Sequence, residues 1–191
     1  MKINYIGIVS GIIALISLAL PWWTLTMSAE VMGESSNVDL SVYPYQARTS
    51  ATGVSQTFSM DLWFGWASLA LIVIAGIAGI AGSVIAGKTG KTNLIVAGIL
   101  ALLSITIFAA GLQSELSREA PAAGFPEVGL FSGGSYSFMG VSMNYSTYLN
   151  FGFWLALIAA IIAFISLPKH PAAQLPTPPT APPPATPTPE S

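Results

Sequence analysis

The chain has 191 residues, 53% of them hydrophobic and only 7% charged, with no cysteine and a formal net charge of −2. A soluble domain carries roughly a quarter charged residues to wet its surface, so most of this surface is expected to face lipid. Without cysteine there are no disulfides, thiolate metal sites or cysteine nucleophiles, and without a basic face there is no nucleic-acid partner.

The first apolar stretch, Ile3–Trp23, carries no charge. It outlasts the roughly 7–15 apolar residues of a secretory signal, which predicts a retained helix. Residues 24–61 follow as a long loop in which apolar and polar residues alternate. Leu25-Thr26-Met27-Ser28 and Val38-Asp39-Leu40-Ser41-Val42 show the pattern, as do Val54, Gln56, Phe58 and Met60 against Ser55, Thr57, Ser59 and Asp61. A period of two predicts half-buried strands. A second apolar stretch, Leu62–Ala86, leads through a short turn at 87–93 into a third, Leu94–Leu112. The second long loop, 113–150, alternates again, with Val141, Met143 and Tyr145 against Ser142, Asn144 and Ser146, before a fourth stretch at Phe151–Leu167. Residues 168–191 hold 10 prolines. Proline fixes φ and removes a donor, so this segment is expected to be a disordered cytoplasmic tail.

About 17–25 apolar residues cross a hydrocarbon core of about 30 Å, and all four stretches meet that range. The fold class expected is an all-α membrane bundle of four transmembrane helices, with a small outer antiparallel β-sheet from the two long loops. Val54–Met60 and Val141–Tyr145 are predicted to pair as the central strands of that sheet. Trp22, Trp23, Trp63, Trp66 and Trp154 lie near the helix ends that flank the loops and are expected to anchor one membrane interface. Lys2, Lys88, Lys91 and Lys169 lie at the termini and the short turn, whereas the long loops hold only Arg48 and Arg118 as basic residues. Positive residues stay inside, so a multi-pass cell-membrane protein with both termini cytoplasmic is predicted.

An internal repeat underlies this order. Gly53-Val54-Ser55-Gln56-Thr57-Phe58-Ser59 lies over Gly140-Val141-Ser142-Met143-Asn144-Tyr145-Ser146, an offset of 140 − 53 = 87. The same offset lays Ile8–Ser17 over Ile95–Ser104 and Gly65 over Gly152. The expected units are therefore 1–86, with helices 3–23 and 62–86, and 94–167, with helices 94–112 and 151–167. An even number of crossings per unit predicts a pseudo-two-fold axis along the membrane normal.

Gly82-Ser83-Val84-Ile85-Ala86-Gly87-Lys88-Thr89 matches the phosphate-binding loop expression. That chemistry needs a strand feeding the turn and an acid for magnesium, whereas the first half lies in an apolar helix. A tight turn with interfacial lysines is the better reading. The single histidine, His170, lies in the tail, and Asp61 reads as a loop-terminal acid that is solvated or caps a helix. Asn144-Tyr145-Ser146 is an N-glycosylation sequon on the outer side. No catalytic, cofactor-binding or metal-binding residue is assigned, and no enzyme is expected.

The exit from the first helix, Leu20-Pro21-Trp22-Trp23-Thr24-Leu25-Thr26, resembles that of claudin-type tetraspans, as does the order of helices and loops. In that family the outer loop continues with a Trp and a pair of cysteines, on a sheet that mediates cell–cell or lateral contacts. This chain has no cysteine, and its second loop is as long as its first. It resembles more closely the uncharacterised prokaryotic four-helix membrane proteins that share the L-P-W-W exit. The resemblance implies a contact or assembly role and transfers no site residue. The expected function is a non-enzymatic envelope protein whose outer sheet meets another membrane protein or a second copy, with the lipid bilayer as its surroundings. The alternative is a subunit of a channel, transporter or larger membrane complex.

Overall fold

The computed structural model describes residues 3–31, 34–51, 54–58, 62–85, 87–122, 128–138 and 141–167. The tail, His170 and Asp61 lie outside them, as do Lys2 and Lys169. Helix α1 (Tyr5–Ser17) leads into four strands, β1 (Trp23–Val31), β2 (Glu34–Val42), β3 (Ala47–Ala51) and β4 (Val54–Phe58). Helices α2 (Trp63–Val84) and α3 (Lys88–Ala122) follow, then β5 (Ser132–Phe138), β6 (Val141–Leu149) and α4 (Phe151–Ile165). The strands form one antiparallel sheet in the order β4-β3-β2-β1-β6-β5.

Two expectations are corrected here. The architecture is a helical layer joined to a six-stranded sheet, not an all-α bundle of four transmembrane helices. Among the described helices only α2 and α3 are long and apolar enough to cross a membrane, with mean hydropathy of 2.2 and 2.5 over their best windows. With 13 and 15 residues, α1 and α4 span about 20 and 22 Å at 1.5 Å per residue, short of a core of about 30 Å. The apolar run at Ile3–Trp23 overstates its helix because Pro21 cannot donate within one, and the chain has turned into β1 by Trp23. The second correction concerns the sheet. β4 is an edge strand paired only with β3, whereas β6 lies between β1 and β5, so the two alternating segments are not neighbours.

The offset of 87 reappears in the strand register. It carries each pair of the β3–β4 hairpin, from Ala47↔Phe58 to Ala51↔Val54, onto the β5–β6 pairs from Gly134↔Tyr145 to Phe138↔Val141. Among the described residues the β1–β2 hairpin has no counterpart. In its place at this offset the second half carries the C-terminal part of α3.

Small residues let the helices approach. α1 packs on α2 and α4, and α3 packs on the same two, so that α1 and α3 touch little. A Cβ on Gly11 would strike the Gly76 carbonyl across the α1–α2 contact. Close backbone approach of this kind is what drives helix association where solvent does not. Buried hydroxyls bond locally at Ser17, Ser83 and Ser166 and between helices at Ser10, Ser68 and Ser104. Ser10 Oγ donates to Ala159 O at 2.7 Å, and Ser68 and Ser104 exchange hydroxyl–carbonyl bonds at 3.0 and 2.8 Å. The outward faces are apolar, including Ile6, Val9 and Ile16 of α1, Ile74 and Ile77 of α2, and Ile158 and Ile161 of α4, all exposed.

The two ends of the helical layer differ. At one end Asn4 Nδ2 donates to Ser166 O at 2.7 Å and Asn4 N to Ser83 O at 3.0 Å. That end also holds the α2–α3 turn, where Gly87 takes φ 85°. The helix–turn–helix path leaves no strand to feed a phosphate-binding loop. At the other end Trp22 N donates to Val42 O at 2.8 Å, Asn150 N to Trp22 O at 2.9 Å and Gly152 N to Pro21 O at 2.9 Å. These bonds seat the sheet on the helices.

Candidate functional site

Alternation gives the sheet two chemically distinct faces. Trp23, Leu25 and Met27 of β1, Leu40 and Val42 of β2 and Tyr145 of β6 all line one cavity on the helical side. Register aligns them in cross-strand rows, with Trp23 beside Val42, Leu25 beside Leu40 and Met27 beside Tyr145. The intervening residues Thr26, Asp39 and Ser146 form a polar row on the other face.

The opposite wall comes from α3, which runs for 35 residues, about 52 Å at 1.5 Å per residue. That exceeds a hydrocarbon core by several turns. The surplus lies over the sheet and presents Leu112, Leu116 and Ala120 at spacing four, one face of a helix. Sheet and helix form a half-open chamber of about 280 Å3, completed by Leu62, Val128, Glu115 and Glu119. Its lining is almost wholly carbon. Glu119 is largely exposed, so it marks the opening. Arg118 lies between the two acids, bonding Glu115 at 2.7 Å and Glu119 at 3.1 Å.

A second, more polar cavity of about 370 Å3 shares Leu116 and Val128 with the first and adds Gln113, Ser117, Gly129 and Ser132. Here the loop before β5 is fixed by hydrogen bonds. Gln113 Oε1 accepts from Leu130 N at 3.1 Å, and Thr147 Oγ1 accepts from Ser132 N at 2.8 Å and donates to Gly129 O at 2.8 Å. Trp23 Nε1 donates to Leu130 O at 3.3 Å, tying the same loop to β1. Among the described residues every buried side-chain nitrogen or oxygen has a partner. None of those residues form a group of three or more His, Cys, Asp or Glu able to hold a metal.

The tryptophans separate into two sets. Trp63, Trp66 and Trp154 are exposed on α2 and α4. Trp22 and Trp23 are 0% and 1% exposed and face the interior. Trp22 packs edge-on to Phe108 with ring centroids 5.0 Å apart, and Trp23 lines the chamber. Asn144 is exposed on β6, opposite Ser28 and Ser135. The chamber itself was not foreseen from the sequence. Its signal was the Leu112, Leu116, Ala120 spacing, which runs on from the third apolar stretch into residues read as loop.

No protein-family model matches the chain, and no curated protein matches it.

Proposed function

We propose that this protein resides in a cell membrane, with α2 and α3 crossing it, and acts as a non-enzymatic contact or assembly protein through its sheet. The observation that carries the contact role is the sheet's two open edges. Among the described residues β4 and β5 each pair on one side only, and Val54, Ser55 and Gln56 of β4 and Gly133, Gly134 and Ser135 of β5 are exposed. An unpaired edge is a template for another strand. The membrane location is supported by the apolar outward faces of the helices, since surfaces of that extent are unfavourable in water.

A dry helical interior favours this role over a conducting subunit. The hydroxyls of Ser10, Ser68 and Ser104 are spent on carbonyls and line no polar groove. In the proposed orientation the α2–α3 turn, with Lys88 and Lys91 at the start of α3, lies on the cytoplasmic side, and the sheet lies outside.

Because the chain has no cysteine, single cysteines report cleanly. Ser55→Cys on β4 and Ser135→Cys on β5, derivatised with a photoactivatable cross-linker in native membranes, should capture a second copy or a distinct protein. Ile74→Cys on the lipid-facing side should not. A sheet that captures nothing from either edge overturns the contact role.

A further inference from the structure

We infer that the chamber between the sheet and α3 holds one hydrocarbon chain of a membrane lipid, an inference that rests on the membrane location proposed above. The lining selects the ligand class. Apart from Glu115, Glu119 and the Tyr145 hydroxyl, its walls are side chains such as Leu25, Leu40 and Leu116 that offer no hydrogen bond, and the Trp23 indole N–H is spent on Leu130 O. Along these apolar walls water finds no partners, and a surface of this kind favours apolar guests. A peptide segment would bury its own N–H and C=O groups unsatisfied. A hydrocarbon chain has nothing to satisfy.

Size and position agree with that class. At about 280 Å3 the chamber equals roughly nine waters of about 30 Å3 each, room for part of a single chain. It begins where the apolar helical layer ends. Leu62 immediately precedes α2, and Leu112 closes the apolar stretch of α3, and both are chamber walls. A chain that enters beside Glu119 therefore runs toward the apolar helical layer and stays in apolar surroundings along its length.

Charge at the opening separates two sources of such a chain. A free fatty acid would bring its carboxylate toward Glu115 and Glu119, and the Arg118 guanidinium between them is already bonded to both. A membrane lipid with a zwitterionic headgroup carries no such uncompensated charge. The occupant is thus a lipid chain whose headgroup stays outside the chamber.

The full chain, reconstituted in vesicles of phosphatidylcholine carrying a diazirine at one acyl terminus, provides the test. Photolysis should give adducts on the chamber walls contributed by the sheet, at Met27, Leu40 and Tyr145, besides those on the lipid-facing helices. Ala120→Phe, which places a ring in the chamber, should lose most sheet adducts and keep the helix adducts. Ala120→Leu, a smaller addition, should lose fewer, and it serves if the phenylalanine variant fails to fold. Wild-type adducts confined to the helices overturn the inference and leave the membrane location standing. Sheet adducts unchanged in the filled variants also overturn it, because the label then reaches the sheet from outside. Suppression of sheet adducts by added oleic acid but not by unlabelled phosphatidylcholine would make a fatty acid the occupant and overturn the lipid assignment. A chain recovered from the aqueous fraction, free of vesicles, overturns the membrane location and this inference together.

Discussion

Adjacent in the chain, Trp22 and Trp23 serve opposite layers. The Trp22 indole donates to Ser17 O at 2.9 Å and meets Phe108 and Phe153 edge-on among the helices. Trp23 faces the chamber and bonds Leu130 O. Replacing a fully buried Trp by Ala removes its transfer energy and leaves a cavity, about 3–5 kcal/mol in all. Trp22→Ala should therefore lower the melting temperature sharply in detergent, and Trp22→Phe, which keeps the ring contacts, should cost about 1 kcal/mol for the lost hydrogen bond. Trp63→Ala, at an exposed site, should stay within about 0.5 kcal/mol of wild type. A thermal melt series ranks the three. Composition marks all five tryptophans alike, as aromatic residues at the ends of apolar runs. Only the strand that starts at Trp23, with its period of two, separates the inward pair from the outward three.

At the scale of elements, the hairpins β3–β4 and β5–β6 share one register under the 87-residue offset, so equivalent pairs should behave alike. Ser50 and Ser55 are directly opposed with their hydroxyl oxygens 3.4 Å apart, and the offset carries them onto Ser137 and Ser142, also opposed. Double cysteine variants at 50/55 and at 137/142 should both close disulfides on mild oxidation, since opposed Cα atoms in such pairs lie about 4.5–5.5 Å apart, within disulfide reach. Mass spectrometry that finds one pair closed and the other reduced would show that the hairpins differ in register. Alternation in the sequence locates β1, β2, β4 and β6, because it records which face is buried. It carries no record of which strand lies alongside, and so β4 and β6, equivalent in pattern, were expected as neighbours. β5 escaped notice because Gly133-Gly134 breaks its alternation. The last turns of α3 escaped because Gln113, Glu115, Ser117, Arg118 and Glu119 dilute the apolar run, although Leu112, Leu116 and Ala120 keep helical spacing.

Across the whole molecule, Asn4, Ser83, Ser166 and the Gly87 turn gather at one end of the helices and the sheet at the other. Lysine placement speaks to which end stays inside, and hydrophobic runs mark where helices lie. Neither measures how much of a run is helix, which is how Pro21 shortens α1 unseen. On the proposed orientation, cysteines at Ser36 and Ser135 should react with an impermeant thiol reagent on intact cells. A cysteine at Thr89, exposed beside the turn, should react only after permeabilisation. The reverse pattern inverts the orientation.

The seam of the sheet has a consequence for the covalent chain. β1 belongs to the first half and β6 to the second, and they pair over seven residues, from Trp23↔Leu149 to Ala29↔Met143. α1 also packs on α4, and α2 on α3. The halves are thus held together by a shared sheet and two helix contacts, while a single turn at Gly87 joins them in sequence. Severed there and co-expressed as 1–87 and 88–191, the two polypeptides should assemble without a peptide link and co-purify as one unit. Met27→Pro, which removes a backbone donor at the centre of β1, should abolish that co-purification.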